Sequence, residues 1–171
     1  MNRNPAGSWF VCSVGCADTG SSQWARPTRQ PAAGALQYLH SVGLPAEAIR
    51  VVYDSYTAEA GHSCTVQMLA EEQPVTAILA GNDTITLGVL DAAKRMGIDV
   101  PTRLSVIGFD DVPFAGSPLI GLTTIQHPAQ EMARTAARRI LDRIKNAPLA
   151  PATRDVFPIQ LVKRNTTTKP Q

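Results

Sequence analysis

The chain has 171 residues, of which 44% are hydrophobic, enough to bury the core of one domain. Its 16 Lys and Arg against 14 Asp and Glu leave a formal charge of +2, which is not the concentrated basic field of a nucleic-acid-binding surface. No long apolar run or signal-peptide core is present, so we expect a soluble, cytoplasmic protein with no membrane partner.

The cysteine pattern gives no redox or zinc motif. Cys12 and Cys16 are separated by three residues, and Cys64 stands alone. We predict buried, reduced thiols, with no metal and no cofactor. The less favoured alternative is a metal site formed by the three cysteines with His62.

Strands and helices alternate through the first part of the chain. Gly43 is placed to end a helix, and Thr57 or Ser55 to cap the start of the next one. That second helix has its predicted inward stripe at Val66, Leu69 and Ala70. The predicted elements are a strand at 9–14, a loop at 15–31, a helix at 32–42, a strand at 49–53 and a helix from 57 to about 72.

Residues 75–111 form the most legible unit, a complete βαβ segment. Two short apolar runs, 75–80 and 104–109, have the composition of parallel strands that are buried on both faces. The amphipathic segment between them predicts a helix, with Leu87, Leu90 and Met96 most simply in the core.

The last part of the chain continues the alternation. The predicted elements are a loop at 112–121, a strand at 122–125, a helix from Pro128 to 146 behind an N-cap at His127, a strand at 155–162 and a frayed tail. The exposed basic face of that helix is most simply solvated. Together, the elements predict an α/β fold with a doubly wound parallel sheet.

Polar residues end both strands of the central unit. Asn82 and Asp83 follow the first strand, and Asp110 and Asp111 follow the second. Ligands of open α/β sheets bind outside the carboxyl ends of the strands, so Asn82 and Asp110 are candidate ligand contacts. The alternatives are that Asn82 or Asp83 only caps the helix, and that the acidic pair only forms a turn.

Several motifs in sequence order resemble the effector-binding domain of the lactose-repressor/galactose-repressor family of bacterial transcription regulators. They are AILAGNDTITLG, GIDVP, SVIGFDD, LTTIQHP and LVKRNT, and the similarity runs from about residue 49 to 168. The resemblance implies a periplasmic-binding-protein-like fold of two lobes that close on a small ligand. It also implies a homodimer.

The resemblance implies that this chain is a single partial effector-binding domain, mainly the C-terminal lobe. That lobe would comprise residues 32–126 and 155–165, and the helix at 127–146 would cross to an N-terminal lobe. Residues 1–31 form a divergent N-terminal segment. The expected partner is a sugar or nucleoside effector, and operator DNA would be contacted only through a helix-turn-helix that this chain lacks.

The resemblance also assigns site residues. It implies that Asn82 and Asp110 hydrogen-bond ligand hydroxyls, that Tyr56 packs on a sugar ring and that Gln126 lines the cleft. The family expects an Arg where this chain has Pro31, so Arg29, two residues earlier, is the candidate on that side. Family dimers pair through the central helix and the following loop, which implies an interface at Leu87, Leu90, Asp91 and Phe114.

Three other functions compete with an effector-sensing domain. A secreted sugar-binding transport protein of the same fold is disfavoured by the missing signal peptide. A second alternative is a non-functional remnant of a regulator. An enzyme using Asp83, Asp110 and Asp111 would need a companion nucleophile or base, which the motif spacing does not supply, so we predict no enzymatic activity.

Overall fold

A computed structural model describes residues 9–12, 29–145 and 154–169, without the side chains of residues 9–12, 29–32 and 46. The strands are β1 Trp9–Cys12, β2 Ile49–Val51, β3 Ala77–Ala80, β4 Ser105–Asp110, β5 Thr124–Gln126 and β6 Gln160–Val162. The helices are α1 Arg29–Ser41, α2 Ala58–Leu69, α3 Asp83–Arg95 and α4 Ala129–Lys145, with short 3-10 turns at Ala46–Ala48 and Pro113–Gly116.

The six strands form one sheet in the order β2-β1-β3-β4-β5-β6. Strands β1 to β5 are parallel, as predicted for a doubly wound sheet, whereas β6 runs antiparallel to β5, so the sheet is mixed at this edge. An antiparallel strand at the edge of a parallel sheet is common in doubly wound folds. The winding direction reverses between β1 and β3, and a doubly wound sheet opens its ligand crevice at such a reversal.

The core lies between the sheet and the pair α2 and α3. It contains Ile78 and Val106 from the sheet, Ile85 and Val89 from α3, and Met68 from α2, all buried. The two helices approach closely at Gly88, where a Cβ atom would overlap the backbone carbonyl of Ala58. Burial of these side chains supplies the main stabilisation of this layer.

The predicted helix caps agree with the structure better than the predicted helix lengths do. The hydroxyl of Thr57 accepts from the Ala60 N–H at 3.2 Å and caps α2, and Gly43 ends the α1 region with φ +85°. Helix α1 begins at Arg29, inside the predicted loop, because Pro31 is tolerated in a first helical turn, where no intrahelical N–H bond is needed.

The predicted inward faces of α2 and α3 were partly wrong. On α2, Leu69 is buried, but Ala70 lies beyond the helix end and is exposed, while Cys64, Thr65 and Met68 face inward. On α3, Met96 is exposed rather than in the core. The close helix pairing at Gly88 fixes which faces are covered, and periodicity alone does not contain that contact.

The C-terminal tail is packed rather than frayed. Thr166 is 3% exposed; its hydroxyl donates to the Val106 carbonyl at 2.7 Å and accepts from the Thr123 N–H at 2.9 Å. The preceding strand is shorter than predicted, with three residues, because Pro158 lacks the N–H that a longer ladder would use. The prediction of a frayed tail was therefore wrong for residues 165–168.

Helix α4 differs from the other elements because none of its residues is buried. Its predicted apolar stripe is exposed, with Met132 at 41%, Ile140 at 60% and Ile144 at 73%. Arg139 donates to Asp155 at 2.6 Å, and the basic face is solvated as predicted. In the described part of the chain, no helix is long and apolar enough to cross a membrane.

Candidate functional site

The two polar strand ends lie side by side at the carboxyl edge of the sheet. Leu79 of β3 pairs with Ile107 of β4, and Asn82 and Asp110 each follow their paired residue by three positions. Strand β5 adds Gln126, which pairs with Asp110 in the ladder. The edge therefore gathers amide and carboxylate groups from three neighbouring strands.

Asn82 is the N-cap of α3. Its backbone is extended, and its side-chain oxygen Oδ1 accepts from the Ile85 N–H at 2.7 Å. The capping alternative thus holds for this residue, and the cap uses only the oxygen of the amide. The amide nitrogen of Asn82 takes no part in this cap and is a hydrogen-bond donor at the edge.

Asp83 is the first residue of α3, and its carboxyl group has no exposed surface. Its Oδ1 accepts from the Thr124 hydroxyl at 2.6 Å and its Oδ2 from the Val112 N–H at 2.9 Å. Burial raises the pKa of this carboxyl, although both hydrogen bonds act in the opposite direction. Asp83 thus joins α3 to β5 and to the turn after β4.

That turn has an unusual backbone. Asp110 has φ +112° and Asp111 has φ +54°. Residues other than glycine rarely adopt positive φ values, although Asn and Asp do so more often than most. Such conformations persist where surrounding contacts hold them, and they cluster at functional sites.

Asp111 is held from two sides. Arg164, in the tail, donates to its Oδ1 at 2.6 Å, and Gln126 donates to its Oδ2 at 2.9 Å. The same guanidinium also donates to the Leu122 carbonyl at 2.7 Å, so it bridges the turn and β5. Both carboxylate oxygens of Asp111 are therefore engaged within the chain.

Asp110 keeps its carboxyl group at the surface, with 35% of the side chain exposed. Its Oδ1 lies 3.7 Å from Nδ1 of His127, whose ring stacks on Phe109 with centroids 5.8 Å apart. Partial burial raises the pKa of Asp110, His127 lowers it and Asp83 raises it further. His127 Nδ1 has no hydrogen-bond partner among the described residues, which contradicts the predicted N-cap role.

The other predicted ligand residues differ in their surroundings. Gln126 is exposed at the edge, but its amide nitrogen is engaged with Asp111. Tyr56 is 40% exposed in the turn before α2. The prediction for Arg29 concerns a side chain outside the described residues, although its backbone begins α1.

Two residues of this edge were not predicted as site residues, His127 and Arg164. His127 directly follows the polar end of β5, and that position was the available signal for a site residue. Arg164 could not be found by local pattern, because its partners Leu122 and Asp111 lie 42 and 53 residues earlier in the chain.

Two of the four predicted dimer residues, Leu87 and Asp91, line a groove between α2 and α3. This open groove of about 580 Å³ is lined by Ala58, Glu59, His62, Ser63, Leu87, Gly88, Asp91 and Arg95. Asp91 lies 3.5 Å from His62 and accepts from Arg95 at 2.8 Å. Leu87 and Phe114 are half-buried, whereas Leu90 packs partly against the core.

Cys64 lies buried in α2, and its thiol is 3.7 Å from the Asp54 carboxylate. Burial and the neighbouring Asp54 raise the pKa of this thiol, which keeps it protonated and weakly reactive. The side chains of Cys12 and Cys16 lie outside the described residues, and the described ones contain no group of three potential metal ligands.

The sequence model of the periplasmic binding protein-like domain family matches residues 11–167, nearly the whole chain. The chain belongs to this family. The resemblance to lactose-repressor/galactose-repressor effector domains is confirmed. Both the sequence relatives and the structural neighbours of the chain include transcription regulators of the lactose-repressor type. The α/β fold is confirmed with it.

Three individual matches illustrate the relationship. The chain is 33% identical to the HTH-type transcriptional repressor PurR of Erwinia tasmaniensis over 78% of its own length, but it spans only 39% of that relative. A LacI transcriptional regulator from a Rhodococcus species has a TM-score of 0.79 at 32% identity, over 94% of this chain and 55% of that one. The Lac repressor bound to ONPG has a TM-score of 0.78 at 26% identity, over 94% and 46%.

Proposed function

We propose that this chain binds a small polyhydroxylated effector, a sugar or nucleoside, as the effector-sensing part of a bacterial transcription regulator. The observation that carries the proposal is the state of the three carboxyl groups at the sheet edge. Those of Asp83 and Asp111 are fully engaged by hydrogen bonds, whereas that of Asp110 is accessible. One accessible carboxylate at the carboxyl ends of directly paired parallel strands suits recognition of an external hydrogen-bond donor.

The chemistry of this edge favours neighbouring hydroxyl groups. The Asp110 carboxylate accepts hydrogen bonds, and the amide nitrogen of Asn82 donates them, so adjacent hydroxyls of one ring find both partners. Tyr56, Gln126 and Arg29 are assigned by family resemblance to the same cleft. The Lac repressor structure, which contains ONPG, supports a ligand of this class.

A thermal-shift panel tests the proposal, with D-ribose, D-galactose, ONPG, adenosine and guanosine as probes. We expect at least one probe to raise the Tm of the wild-type chain and Asp110→Ala to abolish that shift. Asp99→Ala, which removes an exposed carboxylate far from the edge, should retain it. If no probe shifts the wild type, or if Asp110→Ala retains the shift, effector binding at this edge is rejected.

The groove between α2 and α3 is proposed as the surface that meets a second copy of the chain. Leu87 contributes apolar area and Asp91 a charge, while Leu90 supports the surface from the core side. Phe114 is included on the family resemblance. A twofold interface buries the same patch on both copies. Sedimentation velocity should give a dimer that Leu87→Glu dissociates, whereas Lys94→Glu, exposed on the same helix outside the groove, leaves it intact.

The remaining assignments complete the proposal. Residues 32–126 and 155–165 form one lobe, and residues 127–146 contribute to a second lobe, which accounts for a helix without buried residues. Operator contact is assigned to parts of the relatives that this chain does not span, since it covers 39% of the PurR length. The protein acts in the cytoplasm, as a regulator of transcription, and is not an enzyme.

A further inference from the structure

We propose that Asp83 and Arg164 are positioning residues that hold the turn at Asp110 and Asp111 and so present the Asp110 carboxylate at the sheet edge. The ligand-binding consequence rests on the proposed function, whereas the holding of the turn does not. Neither residue is assigned to ligand contact, because Asp83 is fully buried and Arg164 is engaged with the turn and β5.

The carboxyl group of Asp83 lies directly against β4 at Gly108. A Cβ atom at position 108 would overlap Oδ1 of Asp83, so only Gly108 leaves the space that the carboxyl group occupies. From this position Oδ1 accepts from the Thr124 hydroxyl, and Oδ2 accepts from the Val112 N–H. The start of α3 is thereby joined directly to the residue that follows the turn.

The turn at Asp110 and Asp111 needs contacts that hold its backbone conformation. Two consecutive residues with positive φ, Asp110 and Asp111, would relax toward the ordinary regions if the flanking chain were free. The Val112 N–H bond to Asp83 fixes the end of the turn. The side-chain bonds of Asp111 to Arg164 and Gln126 fix its middle.

The edge also concentrates charge. Three carboxyl groups, those of Asp83, Asp110 and Asp111, are gathered at this edge, and like charges raise each other's energy. Arg164 neutralises Asp111 and simultaneously binds the Leu122 carbonyl, so the tail is fastened to β5 and the turn together. The Oδ1 atom of Asp110 lies 3.7 Å from Nδ1 of His127. The backbone of the turn sets the direction of the Asp110 side chain.

Amide hydrogen exchange measured by NMR tests the positioning role without a ligand. The Val112 amide reports the turn, and the Val106 amide, which donates to the Thr166 carbonyl at 2.7 Å, reports the core. In Asp83→Ala we expect the ratio of the Val112 to the Val106 exchange rate to rise at least tenfold. Asp83→Asn, whose amide oxygen still accepts from Val112, should bring it back to within threefold of wild type.

Matched variants separate positioning from general destabilisation. Val75→Ala truncates the core at the far end of β3 and should raise both exchange rates together. For Arg164 variants the reference is the Ile98 amide, which donates to the Ala93 carbonyl at 2.9 Å, because the Val106 amide bonds to the tail that Arg164 holds. Arg164→Ala should raise the Val112 rate relative to that of Ile98. Arg164→Lys should not restore it, because one ammonium group cannot bridge Leu122 and Asp111 as the guanidinium does. If Asp83→Ala does not fold, Thr124→Val removes one of its two bonds and should raise the ratio at least threefold.

The outcome that overturns the proposal is a ratio within twofold of wild type in Asp83→Ala, or in Thr124→Val where Asp83→Ala does not fold. The proposal is also overturned if Val75→Ala raises the exchange ratio as much as Asp83→Ala does.

Titration with D-ribose and ONPG then separates this proposal from the proposed function. Asp110→Asn, which removes the charge but tolerates the positive φ, should weaken binding at least tenfold and leave the exchange ratio unchanged. Asp83→Ala should weaken binding at least tenfold and raise the ratio. If the wild type binds neither probe, effector binding by those compounds fails while the exchange ratio still decides the positioning role.

Discussion

Helices α3 and α4 have apolar stripes that the sequence makes equally visible, yet they have opposite environments. Seven residues of α3 are buried, including Ile85 and Val89, whereas α4, with 17 residues, buries none. Amphipathicity identifies the face that requires a partner and leaves the partner undefined. For α3 the partner is the sheet and α2, whereas none of the described residues buries a residue of α4.

The same contrast explains where the candidate site is formed. The N-terminus of α3 is fastened by Asn82, which caps it, and by Asp83, which ties it to Val112 and Thr124. At the start of α4, Nδ1 of His127 lies 3.7 Å from Asp110 and has no hydrogen bond to any residue that the structure describes. The start of α3 is therefore held by hydrogen bonds to neighbouring elements, whereas α4 has no buried residue.

The largest effect that sharpens this comparison is a core truncation. Ile85→Ala on α3 should lower the free energy of unfolding by about 3 kcal/mol, because it removes a fully buried side chain and leaves a cavity. Ile144→Ala on α4, where the side chain is 73% exposed, should change it by less than about 0.5 kcal/mol. Urea unfolding measures both, and equal costs would contradict the assignment of the core to α3.

The close approach of α2 and α3 gives a second, smaller effect. Gly88→Ala should cost about 2 kcal/mol, because the added methyl group meets the Ala58 carbonyl and the two helices must separate. Gly34→Ala is the matched control, since a Cβ there meets nothing within 4 Å and helix propensity favours Ala by about 0.5–1 kcal/mol. Thermal unfolding should move Tm in opposite directions for the two variants, and a loss in both would contradict helix contact as the cause.

Much of the fold could be predicted because its signals are local. The apolar runs that became β3 and β4, the stop at Gly43 and the cap at Thr57 depend on residues close together in the chain. The adjacency of Asn82 and Asp110 followed from strand order alone, because both end parallel strands that pair directly.

The remainder depends on contacts between distant segments. The tail was expected to fray because it is polar, but the hydroxyl of Thr166 finds Val106 and Thr123, 60 and 43 residues away. The role of Asp83 required knowing that Gly108 leaves space for it. The antiparallel direction of β6 likewise depends on the path of the chain between α4 and that strand.

The pH dependence of the free energy of unfolding tests the contribution of the carboxyl groups at the sheet edge. The folded pKa values of Asp83 and Asp110 are raised above their ordinary value of 3.8, so the folded state binds more protons than the unfolded state in the interval above 3.8. The contribution of both groups to the free energy of unfolding is therefore full below 3.8 and falls as pH rises through their folded pKa values. Asp83→Asn should flatten this decline between pH 4 and 8, measured by urea unfolding, and an unchanged slope would exclude Asp83 as its source.

The smallest effect concerns the face of α4 formed by Met132, Ile140 and Ile144. Replacing Ile140 and Ile144 together with Ser should change the free energy of unfolding of this chain by less than about 1 kcal/mol, because both side chains already face solvent. The same pair of substitutions in a longer regulator, where a second lobe covers this face, should cost about 3 kcal/mol or more from lost apolar burial. Arg138→Ser on the exposed basic face is the control and should be neutral in both settings. A large loss in this chain would mean that α4 is already packed, and no extra loss in the longer protein would mean that its second lobe does not rest on this helix.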